Sequence, residues 1–262
     1  MRVNTIWGTN LRLSHLGFGL ARLHRLSSVN AQSNLVKKAL DLGITHFDVA
    51  PLYGFGNAER LLGSLLARER TVSIATKVAL YPPGGANQTR FEMGLRKLGG
   101  RFLPSLSRPL VNFCVKSAGA SLDGSLRRLS RSFVELALIH EPDISIMLCD
   151  EWQRWCERQE SKVGVFGVAG DTAAVAPFLE RDLRFSQVVQ TNDSLALKEA
   201  DSLADYGRKM QLTYGYLASV GPGLDANSVI RSALRRNFYG TVLVSTLSAS
   251  RLSLLTTIAD EL

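Results

Sequence analysis

Cysteine, histidine and long apolar runs are scarce in this sequence, and each scarcity removes a class of protein. The three cysteines, Cys114, Cys149 and Cys156, are odd in number and lack C-x-x-C spacing, so free thiols in a reducing compartment are expected rather than a disulfide framework or a thiolate zinc site. Nowhere do about 18 apolar residues run together without charge, the length a membrane-crossing helix needs. The opening MRVNTIWGTNLRLSH has no sustained apolar stretch of signal-peptide type. These absences predict a soluble, unexported, cytoplasmic protein with no membrane contact.

Negative charge is also in deficit, with 23 Asp and Glu against 31 Lys and Arg and a net charge of +8. The basic residues are scattered, and the small groups Lys37-Lys38, Arg127-Arg128-Arg131 and Arg235-Arg236 read as solvated faces of outer helices. No groove-reading or base-stacking motif accompanies the charge, so nucleic acid is not an expected partner. A small anionic ligand needs only a few of these charges.

What is present is alternation. Apolar, β-branched runs at 14–20, 45–50, 73–78, 133–140, 162–169, 186–191, 212–218 and 241–246 are separated by amphipathic stretches. In the first of these, Leu35, Ala39 and Leu42 recur at three- and four-residue spacing before Gly43 supplies a stop. Eight strand–helix repeats in 262 residues predict one α/β domain over 1–262, a (β/α)8 TIM barrel rather than an open doubly wound sheet. The Gly8-Thr9-Asn10 turn signal places a β-hairpin before the first barrel strand, closing the barrel's bottom. Residues 80–111, with four of the eight prolines, form a connection long enough to be read as a substrate-shaping flap. Asn87-Gln88-Thr89 within it is a formal sequon that a cytosolic protein would not use.

A barrel gathers its chemistry where the strands end. Asp48 closes the second strand in HFDVAPLYG, Tyr53 follows in the attached loop, Lys77 closes the third strand in ATKV, and His140 closes the fourth in ALIHEPD. A phenol titrates near pH 10, too high for ready proton exchange at neutrality. A neighbouring ammonium favours its ionisation, and a carboxylate holds that ammonium charged. Histidine can donate a hydrogen bond to a carbonyl oxygen. The set suits proton delivery to a developing alkoxide. A competing reading takes His46, Asp48 and His140 as ligands of a metal-dependent hydrolase, since residues 46 and 48 share one face of a strand; it leaves Tyr53 and Lys77 without a role.

On these residues the sequence resembles the aldo-keto reductase family. ALDLGITHFDVAPLYGFGNAERLLGSLL carries Gly43, Phe47, Asp48, Ala50, Tyr53, Gly54, Glu59 and Gly63 in the family's order, and SLRRLSRSFVELALIH resembles a second signature leading to the histidine. The resemblance runs from about Leu13 to the C-terminus. It implies interconversion of an aldehyde, ketone or sugar carbonyl with its alcohol, using NADPH, with NADH as the alternative cofactor. Tyr53 would be the general acid, Lys77 and Asp48 its tuning pair, and His140 the carbonyl-orienting group. The resemblance further implies Gln190 as a ligand of the cofactor carboxamide, Tyr214 stacked on the nicotinamide, Gly19 and Leu20 as backbone beside its reactive end, and Ser245, Thr246 and Arg251 around its phosphate. A regulatory barrel that binds cofactor with little catalysis is the alternative from another class, and the intact Asp48, Tyr53, Lys77 and His140 argue for chemistry. Two departures stand out. Ala169-Gly170 occupies the place where relatives commonly carry Ser-Asn, and Ser245 stands where many NADPH-specific relatives have lysine. Gly54-Phe55-Gly56 imitates a dinucleotide fingerprint but lacks its third glycine and follows the wrong strand.

Overall fold

The computed structural model of the chain describes residues 1–86, 88, 92, 108–148, 150–180, 183–218 and 225–262. Two short strands, β1 (Val3–Thr5) and β2 (Arg12–Ser14), pair antiparallel. Eight parallel strands then close a barrel: β3 (Leu16–Gly19), β4 (His46–Asp48), β5 (Ser73–Val78), β8 (Val134–His140), β9 (Val163–Gly170), β10 (Val188–Asn192), β11 (Leu212–Tyr214) and β12 (Thr241–Val244). The ring is sealed by β12 pairing with β3, Val242 opposite Leu16 and Val244 opposite Phe18. The (β/α)8 architecture read from the alternation is the one observed.

Outside the barrel run α1 (Val29–Asp41), α2 (Asn57–Leu66), α3 (Val115–Leu129), α4 (Asp150–Arg158), the single turn α5 (Thr172–Val175), α6 (Ala226–Arg236) and α7 (Ala249–Asp260). In α1 the buried residues Gln32, Leu35, Val36 and Ala39 form one stripe facing the barrel, as the three- and four-residue spacing requires. Ser28 caps its first turn and Gly43 follows its end at φ +83°. Between α2 and α3 the backbones approach so closely that a Cβ at Gly63 would lie 2.3 Å from the carbonyl oxygen of Arg128. Among the described residues no helix is long and apolar enough to cross a membrane.

The hairpin β1–β2 closes one end of the barrel, as expected. Ile6, Leu11 and Leu13 pack into an inner layer with Leu136, Leu138, Val188, Leu212 and Leu243. Asn4 Nδ2 donates to the carbonyls of Phe238 and Gly240, and Gln211 Nε2 to that of Trp7. The roots of the 80–111 connection pair as a two-residue antiparallel ribbon, β6 (Leu80–Tyr81) with β7 (Leu110–Val111). The flap expected between them, with Asn87 and Thr89 of the sequon, lies largely outside the described residues, as does Cys149.

The structure corrects the reading of three arginines as solvated. Arg128 is partly buried against Glu59, whose side chain is fully enclosed and also accepts from Thr76. Arg131 donates to the carbonyls of Leu66 at the end of α2 and of Glu69 and Val72 in the segment after it, and pairs with Glu135. Arg236 joins Asp193 and Asp201. A guanidinium offers five fixed donors, which suits it to gathering carbonyls and carboxylates from separate segments. Part of the positive excess is therefore consumed inside the fold.

Candidate active site

The strand ends opposite the hairpin surround a cavity of about 390 Å³ lined by Asp48, Tyr53, Lys77, His140, Gln190 and Tyr214, among others. Each position follows from the barrel. Asp48, Lys77 and His140 sit at the C-terminal ends of β4, β5 and β8, and the register sets Asp48 beside Ala75 and Lys77 beside Leu138. Tyr53 is carried by a compact loop in which its N–H bonds Ala50 O and Asn57 N–H bonds Gly54 O. Gly54, Phe55 and Gly56 are all left-handed, and a Cβ at Gly56 would fall 2.2 Å from Ala86 O. The apparent fingerprint is thus the turn that delivers Tyr53 and opens α2. Arg60 fastens it by donating to Phe55 O and Ala86 O.

The fully buried Lys77 organises the site. Its ammonium donates to Asp48 Oδ1 at 2.5 Å, Val49 O at 3.3 Å and Tyr53 Oη at 3.3 Å. Burial alone would lower the lysine pKa, but Asp48 and Tyr53 outweigh it and the pKa is raised, so the group is a cation. Tyr53 shows the opposite balance to the one its neighbours suggest. Burial raises its pKa more than Lys77 lowers it, and Asp48 adds to the rise, so the phenol is held protonated. Lys77 has donors only. Tyr53 must accept from it, and the phenolic proton is left free to point elsewhere.

His140 lies edge-on to Tyr53, ring centroids 6.4 Å apart at 87°. Burial, helped by Lys77, pushes its pKa down to about 3. The imidazole is neutral, and its Nδ1 is buried without a hydrogen-bond partner. His46 is fully enclosed, with Nδ1 3.2 Å from Ser73 Oγ and a pKa likewise lowered to about 3. Among the described residues no three His, Cys, Asp or Glu side chains are grouped to hold a metal, and Asp48 Oδ1 is engaged by Lys77 and Gln190.

The remaining residues divide. Gln190, 4% exposed, donates from Nε2 to Asp48 Oδ1 at 3.1 Å and keeps a buried Oε1 with no partner. Gly19 lines the cavity and its carbonyl accepts from Ser245 Oγ at 2.8 Å. Leu20 does not line it: its side chain is enclosed in the outer core and its N–H bonds Asp48 O. Ser245 and Arg251 line both this cavity and an adjoining one of about 790 Å³, whereas Thr246 lines only the second. Sequence reasoning missed Arg22, which lines both cavities, and Glu141 and Tyr216, which line the first. Glu141 carried a signal, since it directly follows the strand-end histidine; Arg22 and Tyr216 carried none.

An orphaned acceptor at Gln190 and an aromatic wall at Tyr214 fit a planar amide-bearing ring. Arg22 and Arg251, beside the N-terminus of α7 capped by Ser248, fit a phosphate-bearing extension, because helix N-termini and guanidinium groups both favour anions.

The family model for the aldo/keto reductase family matches residues 15–176. A 6-dehydroglucose reductase of Novosphingobium aromaticivorans is 32% identical over 148 residues, which span 52% of this chain but only 40% of that protein. An aldo-keto reductase of Bacillus halodurans, solved in its holo form, superposes with a TM-score of 0.75 at 18% identity, over 98% of this chain and 90% of that one. One from Klebsiella pneumoniae in complex with NADPH gives 0.69 at 16%, over 99% and 89%. At these identities the two solved structures speak for the fold.

Proposed function

Because this chain belongs to the aldo/keto reductase family, we propose that it is an NADPH-dependent oxidoreductase that interconverts an aldehyde, ketone or sugar carbonyl with its alcohol in the cavity around Tyr53. The observation that carries this reading is the direction of one hydrogen bond. Lys77 donates to Tyr53 Oη, so the tyrosine proton faces a cavity rather than the protein. The relative named for reducing 6-dehydroglucose supports a substrate of sugar size.

A bound nicotinamide cofactor supplies the hydride in reduction and accepts it in oxidation. Gln190 Oε1 would accept from its carboxamide, Tyr214 would support its ring, and Gly19 would lie beside it. Arg22, Ser245, Thr246 and Arg251 would hold its phosphates in the adjoining cavity. On the protein's side, neutral His140, in the tautomer with its proton on Nε2, would donate to a substrate carbonyl oxygen. Tyr53 then transfers its proton to that oxygen as negative charge develops there, and Lys77 stabilises the phenolate left behind. Asp48 keeps Lys77 in position throughout.

The test is a cofactor-coupled screen of aldehydes, ketones and aldoses in both directions, followed by the absorbance of the reduced nicotinamide. Turnover is expected with NADPH. Tight cofactor binding without turnover of any substrate would point instead to a regulatory barrel.

A further inference from the structure

Residues 214–218 all line the cavity, and of these only Tyr214 has a part in supporting the cofactor ring. The wall leaves β11 through Gly215, whose φ of +104° is a conformation open to few residues besides glycine. Glycine also leaves the chain more freedom than any other residue, so a wall that turns there keeps its shape only if something outside holds it on both sides. Asp193 does so. It directly follows the last β10–β11 register pair, Asn192 opposite Tyr214, and its N–H donates to Tyr214 O at 2.7 Å. On the far side of Gly215, Tyr216 Oη donates to Asp193 Oδ2 at 2.6 Å. Between the two contacts, a Cβ at Gly215 would stand 3.3 Å from Asp193 O.

The grip is itself anchored. The buried Asp193 carboxylate accepts from Arg236 Nε at 2.6 Å and Nη2 at 3.2 Å, and from Ala200 N–H at 3.1 Å. Arg236 is the last residue of α6. At the other end of that helix residues 225–227 line the adjoining cavity, and Ile230 between the ends lines the first. Tyr216 is 2% exposed, so its hydroxyl has exchanged water for the aspartate, and a hydrogen bond to an ionised acceptor is stronger than one between neutral groups. Asp193 lines neither cavity. Whatever it does for a bound molecule it does through the two tyrosines.

We infer that Asp193 is a positioning residue for the cofactor: by holding Tyr214 and Tyr216 on either side of Gly215, it keeps the ring-supporting wall in its binding shape before the cofactor arrives. A wall already ordered spares the cost of ordering it on binding. Loss of the grip therefore appears as weaker cofactor affinity and faster cofactor release, while Tyr53, Lys77 and Asp48 keep their own contacts. The inference rests on the reading of the cavity as a nicotinamide site.

The test measures the Kd of NADPH by isothermal titration and its release by stopped-flow fluorescence, in the wild type, Tyr216→Phe, Asp193→Ala and the double variant. Tyr216→Phe keeps the ring and removes only the hydroxyl. Its Kd should rise about tenfold, the order expected for one lost hydrogen bond to a charged group, with most of the change in faster release. The double variant should bind no more weakly than Asp193→Ala, because both substitutions remove the same bond. Arg131→Ala loosens the end of α2, away from both cavities; it should lower the urea midpoint and leave Kd unchanged, which separates affinity from stability. An unchanged Kd in folded Tyr216→Phe, or losses that add in the double variant, overturns the inference and leaves the carbonyl-reducing reading standing. Failure of the wild type to bind either NADPH or NADH removes that reading and the inference with it.

Discussion

Gln190 and Asp48, separated by 142 residues, meet on a single carboxylate oxygen: Gln190 Nε2 donates at 3.1 Å to the same Oδ1 that holds the Lys77 ammonium. The group proposed to hold the cofactor amide and the group proposed to tune the proton donor are therefore one hydrogen-bonded unit. A change at any member should be felt by the others, because buried polar networks are coupled rather than additive.

Tyr53→Phe removes the phenolic proton and keeps the ring that packs beside His140. Reduction should fall by about 10²–10⁴-fold, the usual contribution of a general acid, while cofactor affinity measured by tryptophan fluorescence stays near wild type. Normal single-turnover chemistry in this variant would rule Tyr53 out as the donor.

Lys77→Met takes away the charge that lowers the Tyr53 pKa and leaves Asp48 buried without its cation. The alkaline limb of the pH–rate profile for residual reduction should move to higher pH, since the phenol then stays protonated longer. Removing one partner of a buried ion pair also costs about 3–5 kcal/mol, to be read from urea unfolding. A folded variant whose profile is unmoved would uncouple the two residues.

Acid should destabilise the fold through its enclosed histidines. His46 and His140 are held neutral, with pKa values lowered to about 3, whereas in the unfolded chain they protonate near pH 6.5. The unfolded state thus binds more protons, and stability falls as pH drops below about 6.5 and continues to fall toward about 3, with each histidine contributing about 2 kcal/mol of loss by pH 5. Urea midpoints between pH 7 and 5 check this, and a flat profile would contradict it. His140→Asn should make the decline shallower.

Arg251→Ala should weaken NADPH binding far more than NADH binding, because only the former carries the extra phosphate. A guanidinium can make paired, charge-assisted bonds to that group, and Arg251 has no carboxylate partner among the described residues. Equal losses for both cofactors, seen by isothermal titration, would remove Arg251 from the phosphate site.

Asp193→Ala should destabilise the barrel without touching the reacting groups. Asp193 is fully buried, accepts from Tyr216 Oη and Ala200 N–H, and pairs with Arg236 at 2.6 Å. Its loss leaves Arg236 with Asp201 alone and the buried Tyr216 hydroxyl without its carboxylate acceptor, an effect of about 1–3 kcal/mol, measurable as a lower unfolding midpoint.

Much of this was legible from residues alone. Strands buried on both faces read as short apolar runs, and the barrel's rule that chemistry gathers at strand ends located Asp48, Lys77 and His140. What could not be read depended on partners far away in sequence. Arg128 finds Glu59 at a separation of 69 residues and Arg236 finds Asp193 at 43, so their local surroundings suggested solvent. The burial of the Leu20 side chain in the outer core was not visible either, since a strand-end position does not reveal which way the following side chain turns. The balance at Tyr53 was hidden too, since the opposing charges are visible in the sequence but the burial that outweighs them is not.

The hairpin at the barrel's floor bears on how the molecule assembles. Asn4 bonds the Gly240 carbonyl across 236 residues, and the ring is completed only when β12 docks on β3. During synthesis the inner apolar layer of Ile6, Leu11 and Leu13 waits for nearly the whole chain before Leu243 covers it. Contacts of such long sequence separation slow folding and lengthen the interval in which apolar surface is exposed. The floor of the barrel is where premature association between nascent chains would begin.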